Sequence, residues 1–163
     1  MSKRLVIDLD RCDGCASCGV RCTYFYRPRA GDHGVLALRE RATFALVCRR
    51  CKLASCIEAC AFGALERDGD GVLRRHNLRC VGCTLCAQAC PFGTIYADLL
   101  TFYQSPCDYC IGRVGDEAPP CAGSCGRGAI EYRTVQDGEE GVYIVDDHLA
   151  ARAVKWIGQE GER

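Results

Sequence analysis

The stretch Cys80-Val-Gly-Cys83-Thr-Leu-Cys86-Ala-Gln-Ala-Cys90-Pro91 spaces four thiols as Cys-x2-Cys-x2-Cys-x3-Cys and follows the last with proline. Three thiols at such intervals wrap a loop around one 4Fe-4S cubane, while the fourth, three residues on, points away to ligate the other cluster of a pair. The same run occurs at Cys12, Cys15, Cys18 and Cys22. Two stretched versions keep the x2 start and the x3 end: Cys48-x2-Cys51-x4-Cys56-x3-Cys60 and Cys107-x2-Cys110-x10-Cys121-x3-Cys125. Together these groups use all 16 cysteines of the 163-residue chain and predict four iron-sulfur clusters arranged as two pairs.

Two other chemistries use many cysteines. Zinc sites also use Cys-x2-Cys pairs, but not a triplet followed by x3 and Cys-Pro. A disulfide scaffold belongs to secreted proteins. The segment Met1-Ser-Lys-Arg-Leu-Val-Ile-Asp-Leu-Asp10 has neither an apolar core nor a small-residue cleavage site. The expectation is a chain that starts here in a reducing compartment, the cytoplasm. Arg49-Arg50 lies mid-chain between cysteines and is not an export signal, although export bound to a signal-bearing partner would leave no trace here. No apolar run approaches the ~20 residues that span a bilayer, so no membrane span is expected.

Lys plus Arg and Asp plus Glu number 21 each, a balance that argues against a nucleic-acid partner. With thiolates counted, a cluster adds about −2 and four add roughly −8, a charge for backbone N–H groups and nearby cations to offset. Arg11, Arg21, Arg49, Arg50, Lys52, Arg79 and Arg113 crowd the motifs and are candidates for that offset, with ordinary solvated surface residues as the alternative.

A short repeat follows three of the groups: Cys60-Ala-Phe-Gly63-Ala-Leu-Glu, Cys90-Pro-Phe-Gly93-Thr-Ile-Tyr and Cys125-Gly-Arg-Gly128-Ala-Ile-Glu. A glycine three residues past the last cysteine suits the turn by which the chain leaves a cluster for an extended segment. The first copy, after Cys22, has diverged to Thr-Tyr-Phe-Tyr-Arg-Pro. Strands are predicted over 4–9, 35–39, 43–47, 64–67, 71–74, 129–133 and 141–145. Turns at Asp68-Gly-Asp-Gly71 and Gln136-Asp-Gly-Glu-Glu-Gly141 predict two hairpins, 64–67 with 71–74 and 129–133 with 141–145. Residues 27–33 and 115–120 read as loops. A C-terminal helix over 146–158 is predicted, with Asp146 or Asp147 as N-cap, Leu149, Ala153, Trp156 and Ile157 on one stripe, and Gly158 as stop. It packs on its own domain or, carrying the chain's one tryptophan, docks a partner.

Cys107-Asp-Tyr-Cys-Ile-Gly-Arg, Pro120-Cys-Ala-Gly-Ser-Cys and the following Gly128-Ala-Ile resemble the fourth motif of the four-cluster, ferredoxin-like electron-transfer subunits that accompany molybdenum or tungsten oxidoreductases and some hydrogenases. The likeness runs from about Arg4 to Tyr132. It departs at Ala61 and Gly126, where proline usually follows the fourth cysteine, and at Ala54-Ser55, where proline is frequent; these touch loop stiffness and not ligation. The resemblance implies an α+β fold of two interleaved, two-cluster bacterial-ferredoxin-like modules with short β-hairpins and short helices. One module combines 1–30 with 100–145, and the other is 45–99, within one compact 1–163 unit. It also implies the pairing of first motif with fourth and second with third. The ligand sets would be Cys12, Cys15, Cys18 with Cys125; Cys22 with Cys107, Cys110, Cys121; Cys48, Cys51, Cys56 with Cys90; and Cys60 with Cys80, Cys83, Cys86, leaving no place for a three-iron cluster.

The chain is short for that family and lacks a membrane tail. In this it is similar to the compact small subunits of soluble enzymes such as tungsten aldehyde oxidoreductases or formate dehydrogenases, the wider resemblance also taking in the dimethyl sulfoxide reductase type. No open metal position, nucleophile with a base, or cofactor cradle is visible. His33, His76 and His148 are isolated and read as surface or capping residues, and no Gly-x-Gly-x-x-Gly follows a strand. The chain thus reads as a non-catalytic relay between a molybdenum- or tungsten-pterin catalytic subunit and an acceptor subunit or carrier, any flavin being held by another subunit. A free polyferredoxin, a hydrogenase-associated subunit and end-to-end self-association are the alternatives. Because the 48% hydrophobic content includes every cysteine, cluster cages must supply part of the folding energy. Stripping the iron with a chelator is therefore expected to leave a poorly folded chain, seen as loss of far-UV circular dichroism and of amide protection.

Overall fold

The computed structural model describes residues 3–13, 15, 18–22, 34–102 and 105–154, which form a small α+β structure of short helices and a mixed sheet. Strand β1 (Lys3–Asp8) carries Leu5, Val6 and Ile7, all buried, so both of its faces are covered and it sits inside the sheet. On one side it pairs antiparallel with β4 (Ile130–Thr134), Leu5 opposite Tyr132 and Ile7 opposite Ile130. On the other it pairs in parallel with β6 (Leu149–Arg152), Leu5 opposite Leu149 and Ile7 opposite Ala151. β5 (Val142–Ile144) closes the order β4-β1-β6-β5 by pairing antiparallel with β6. Asp8, at the end of β1, accepts a hydrogen bond from the Arg11 N–H at 3.0 Å and caps the single turn α1 (Leu9–Cys12), which ends on the first cysteine.

The second part of the molecule is built around the hairpin β2 (Leu65–Arg67) and β3 (Leu73–Arg75), antiparallel as the turn chemistry predicted. Asp68 Oδ1 fixes that turn by accepting from the N–H groups of Asp70 (3.2 Å) and Val72 (2.9 Å). The helices beside the cysteines, α3 (Ser55–Glu58), α4 (Leu85–Ala89) and α5 (Pro120–Ser124), have only four or five residues. Such pieces do not stand alone and are held by what they pack against.

Residues 35–39 and 43–47, predicted as two strands, form one helix, α2 (Val35–Val47). The β-branched Val35, Thr43 and Val47 suggested strands, but between them lies Leu-Arg-Glu-Arg-Ala, made of strong helix formers, with no Gly or Pro to break the run. No clean apolar stripe marks the helix because it serves two cores. Val35, Leu38 and Ala42 pack with Leu5, Ile7, Leu9, Ile130 and Leu149 of the sheet. Phe44 packs with Leu65, Val72, Leu73, Ile95 and Leu100 around the hairpin. Its entry is tight, since a Cβ on Gly34 would lie 2.9 Å from the Pro106 carbonyl oxygen.

Two further expectations are corrected. Residues 129–133 and 141–145 are strands as predicted, but they are not hairpin partners: β1 stands beside β4, and β6 stands between β1 and β5. The predicted C-terminal helix is a strand over Leu149–Arg152, while Trp156, Ile157 and Gly158 lie outside the described residues. Asp146 Oδ1 does accept from the N–H groups of His148 and Leu149, both at 2.9 Å, as an N-cap would. That same chemistry closes a tight turn, and the buried Leu149, Ala150 and Ala151 fill the sheet instead. The loop 27–33 and the segment after Cys22 also lie outside the described residues.

Arg41 of α2 ties the two parts together, with Nη2 2.7 Å from Asp68 Oδ2 and Nε 3.7 Å from Asp146 Oδ2. Each aspartate thus holds its own turn with one oxygen and faces the helix with the other. Phe44→Ala empties the centre of the second core and is expected to destabilise the protein by about 3–5 kcal/mol, measured by anaerobic denaturant unfolding; a change under about 1 kcal/mol would show that this core does not hold the hairpin to α2.

Candidate metal centres

All sixteen cysteines are free thiols. In the three copies of the repeat the backbone does the same thing. The N–H of Gly63, Gly93 and Gly128 donates to the carbonyl of Cys60 (3.1 Å), Cys90 (3.2 Å) and Cys125 (2.9 Å). These glycines take φ of +56°, +62° and +59°, the left-handed region open to glycine at little cost. The turn then aims the next residue back at the sulfur. The N–H of Ala64 donates to Cys60 Sγ and that of Ala129 to Cys125 Sγ, each at 3.3 Å, and Cys90 Sγ lies 3.3 Å from the Thr94 hydroxyl. Inside the Cys-x2-Cys turns the residue before the second cysteine is also left-handed: Arg50 (+50°), Gly82 (+70°) and Tyr109 (+56°).

These turns bring together thiols from different motifs. Cys12 senses the charge of Cys15, Cys18 and Cys125, and Cys18 that of Cys15 and Cys125. Cys107 senses Cys121, Cys22 and Cys110. Cys56 senses Cys48 and Cys90, and Cys86 senses Cys80 and Cys60. Cys51 belongs to the turn that begins at Cys48, and its carbonyl accepts a bond from Arg67. Two of the groups line hollows. Cys22, Cys107, Cys110 and Cys121 line one with Leu5, Leu38 and Tyr109. Cys60, Cys80, Cys83 and Cys86 line another.

Among the described residues no three metal-ligating side chains stand close enough to hold a single ion. A zinc site would draw its sulfurs to about 2.3 Å from one centre. Four thiols lining one hollow and feeling one another's charge match the all-cysteine ligation of a 4Fe-4S cubane.

Burial pushes the Cys12, Cys86 and Cys121 thiols up to about 11 and Cys107 up to about 12, and it also raises Cys18 and Cys56. At Cys90 burial acts in the same sense but loses to bonds from the Thr94 hydroxyl and the Thr94, Phe92 and Gly93 N–H groups, leaving that thiol lowered. Cys15 and Cys83 are the exposed members of their groups.

Of the cations expected to offset cluster charge, two occupy matching positions. Arg11, just before Cys12, donates to the Gly128 carbonyl at 3.2 Å, and Arg79, just before Cys80, donates to the Gly63 carbonyl at 3.3 Å. The first bond links the first motif to the fourth and the second links the third to the second. Arg113 pairs with Asp108 at 2.5 Å beside Cys107 and Cys110, and Arg49 lies over the Phe92 ring at 5.9 Å. His76 lies 2.8 Å from a Glu66 oxygen and His148 stacks near Tyr109 at 5.5 Å, while His33 is outside the described residues. The sequence reading overlooked Tyr109, whose hydroxyl donates to Asp146 at 2.8 Å, and the buried pair Glu40 and Arg75, each flanked by basic residues so that no local signal marks it.

The chain is similar to the thiosulfate reductase electron transfer subunit PhsB of Salmonella typhi, at 26% identity over 94% of this chain and 80% of that protein. It is also similar to a subunit of the tetrathionate reductase of Salmonella typhimurium, at 31% identity over 82% of this chain and 58% of that protein. A third relative is the probable anaerobic dimethyl sulfoxide reductase chain YnfG of Escherichia coli, at 28% identity over 80% of this chain and 73% of that protein. The family model of the 4Fe-4S dicluster domain matches residues 40–135, a stretch that holds the second, third and fourth motifs entire. Since this covers more than half of its length, the chain belongs to the 4Fe-4S dicluster domain family.

Proposed function

We propose that this protein is the electron-transfer subunit of a molybdenum- or tungsten-pterin oxidoreductase, carrying four 4Fe-4S clusters in two interleaved ferredoxin-like modules and catalysing nothing by itself. The observation that carries the reading is the grouping of the thiols, each group drawn from two motifs, in a chain whose relatives are named as an electron transfer subunit and other component chains of reductases. The ligand sets would be Cys12, Cys15, Cys18 and Cys125; Cys22, Cys107, Cys110 and Cys121; Cys48, Cys51, Cys56 and Cys90; and Cys60, Cys80, Cys83 and Cys86. Two separate cores, one walled by thiols of the first and fourth motifs and one by thiols of the second and third, support the two modules.

Each bound cluster supplies a one-electron store whose potential responds to hydrogen bonds, charge and exposure. The chain's residues act on those levers. The Ala64 and Ala129 N–H groups and the Thr94 hydroxyl stabilise charge on three sulfurs. Arg11 and Arg79 lock the paired motifs together. Exposed Cys15 and Cys83 give their groups the shortest way out to a partner. Phe62, Val81 and Leu85, half-exposed on the wall of the Cys83 cavity, offer apolar surface for docking. The catalytic subunit would dock there or at Cys15, and an acceptor subunit or carrier, with a flavin of its own where needed, at the other. The proposed compartment is the cytoplasm; among the described residues no helix is long and apolar enough to cross a membrane.

Anaerobic purification from the native host is expected to give about sixteen iron and sixteen sulfide per chain, co-eluting with molybdenum or tungsten. The same iron without that partner metal would favour a free polyferredoxin, and zinc without sulfide would overturn the reading. The pairing has its own test: C125S and C12S should abolish the same low-temperature EPR signal, and C107S a different one. Loss of one shared signal in C125S and C107S would instead mean that each motif serves its own cluster. Because the Cys12, Cys86, Cys107 and Cys121 thiols are raised, loading at neutral pH must release their protons, and uptake in weak buffer should acidify the solution. In any folded iron-free form these thiols contribute stability that is complete below about pH 9 and is lost as the pH climbs toward 11–12, so denaturation midpoints should fall across that window.

A further inference from the structure

Arg75 stands at the end of β3 with its side chain 1% exposed, and its partner Glu40, on α2, is 6% exposed. Arg75 Nε donates to Glu40 Oε2 at 2.9 Å and Nη2 donates to the same oxygen at 2.5 Å. Nη1 donates to the Thr101 carbonyl at 3.2 Å and Nη2 to that of Leu99 at 3.3 Å. The guanidinium also reaches the Cys80 thiol. Arg75 lines the cavity ringed by Cys60, Cys80, Cys83 and Cys86, and Glu40 does not. Both line a separate polar cleft, together with Arg41 and Tyr109. The pair is therefore a directed dipole, with its positive end against the thiols and its negative end turned away.

A structural role alone does not account for this arrangement. An ion pair buried so deeply loses solvation that its mutual attraction only partly returns, and apolar residues of similar volume often serve a core as well. Burial opposes charge on both groups. It pushes the Glu40 carboxyl up against the pull of Arg75, whereas Arg75 stays raised through its bonds to Glu40 and Cys80. A guanidinium does not give up its proton at any physiological pH, so the charge beside Cys80 is permanent. Enclosed as it is, salt screens it little.

We infer that Arg75 and Glu40 set the reduction potential of the cluster held by Cys60, Cys80, Cys83 and Cys86, the arginine raising it and the glutamate lowering it by partial cancellation. This rests on the proposed ligand set. One electron arrives from the partner oxidoreductase and one leaves to the acceptor; no bond forms or breaks and no proton moves. An added electron makes the centre more negative, so a fixed cation at its edge favours the electron's arrival and an anion behind that cation takes back part of the effect.

The test is an anaerobic redox titration followed by EPR on the holoprotein in its complex, with R75Q, E40Q and R75K. R75Q is expected to weaken reduction of one cluster about tenfold, about 59 mV downward for a one-electron couple. E40Q should shift the same cluster upward by a smaller factor, R75K should stay close to the unaltered protein, and the other three clusters should not move. The affected cluster should be the one whose signal C83S abolishes. Shifts of one sign in both charge-removing variants, equal movement of all four clusters, or no movement would overturn the inference, because a merely structural pair gives no opposite signs. If R75Q fails to keep about sixteen iron per chain, E40Q decides alone: an upward shift upholds the inference, and no shift or a downward one overturns it. Failure of the ligand reading looks different, since C60S and C83S would then abolish different signals in a protein otherwise unchanged.

Discussion

The constraint on which this molecule depends is that the last cysteine of each motif stands beside thiols of another motif. Cys125 lies with Cys12 and Cys18, Cys22 with Cys107 and Cys121, Cys90 with Cys48 and Cys56, and Cys60 with Cys86. Each such exchange needs two stretches of chain to be held at a fixed distance, and most of the secondary structure serves to hold them. β1 delivers Cys12 through the Asp8-capped turn of α1 while its antiparallel neighbour β4 follows the Cys125 turn. In the second half the hairpin β2–β3 leaves the Cys60 turn and returns toward Cys80. The turn of three residues and a left-handed glycine is the common fitting that lets a thiol leave its loop and still receive a backbone N–H on its sulfur.

The ordinary core is divided, its two larger clusters lying one in each half with thiols packed along their edges. Among the described residues α2 is the one helix of more than five residues. Among the described elements it alone reaches both cores, through Val35, Leu38 and Ala42 on one side and Phe44 on the other. The same helix carries Arg41, which faces the turn aspartates of both halves, and Glu40, which meets Arg75. A single element thus sets the spacing of the two halves and places charge beside one thiol group.

The chemistry was legible because it is written as spacing: the three repeat glycines and the Asp68 turn stand in the structure as their residues implied. What failed was whatever depends on a distant partner. α2 looked like two strands because a helix buried against two cores shows no single apolar face. Leu149–Arg152 looked helical because Asp146 caps a tight turn with the bonds that would cap a helix, and only the vacancy beside β1 makes that segment a strand. The misassigned hairpin partner of β5 has the same origin, since adjacency in sequence favoured β4 and the sheet supplied β6. Glu40 and Arg75 sit 35 residues apart in unremarkable contexts, so nothing local announces their meeting.

The order in which the chain leaves the ribosome gives the two halves different histories. The hairpin half closes on contacts between residues 44 and 100, all near in sequence, and can gather its thiols while synthesis continues. The other half cannot. β1 must wait for β4 and then for β6, and the Arg11 side chain must wait for a carbonyl 117 residues downstream. Contacts of such separation form slowly. The thiols of the first motif are therefore made before those of the fourth with which they group, and wait longer for their partners than those of the middle motifs. In that interval they are open to oxygen and to stray metal ions, so this half, and not the other, is where a maturation chaperone or strict anaerobiosis matters most.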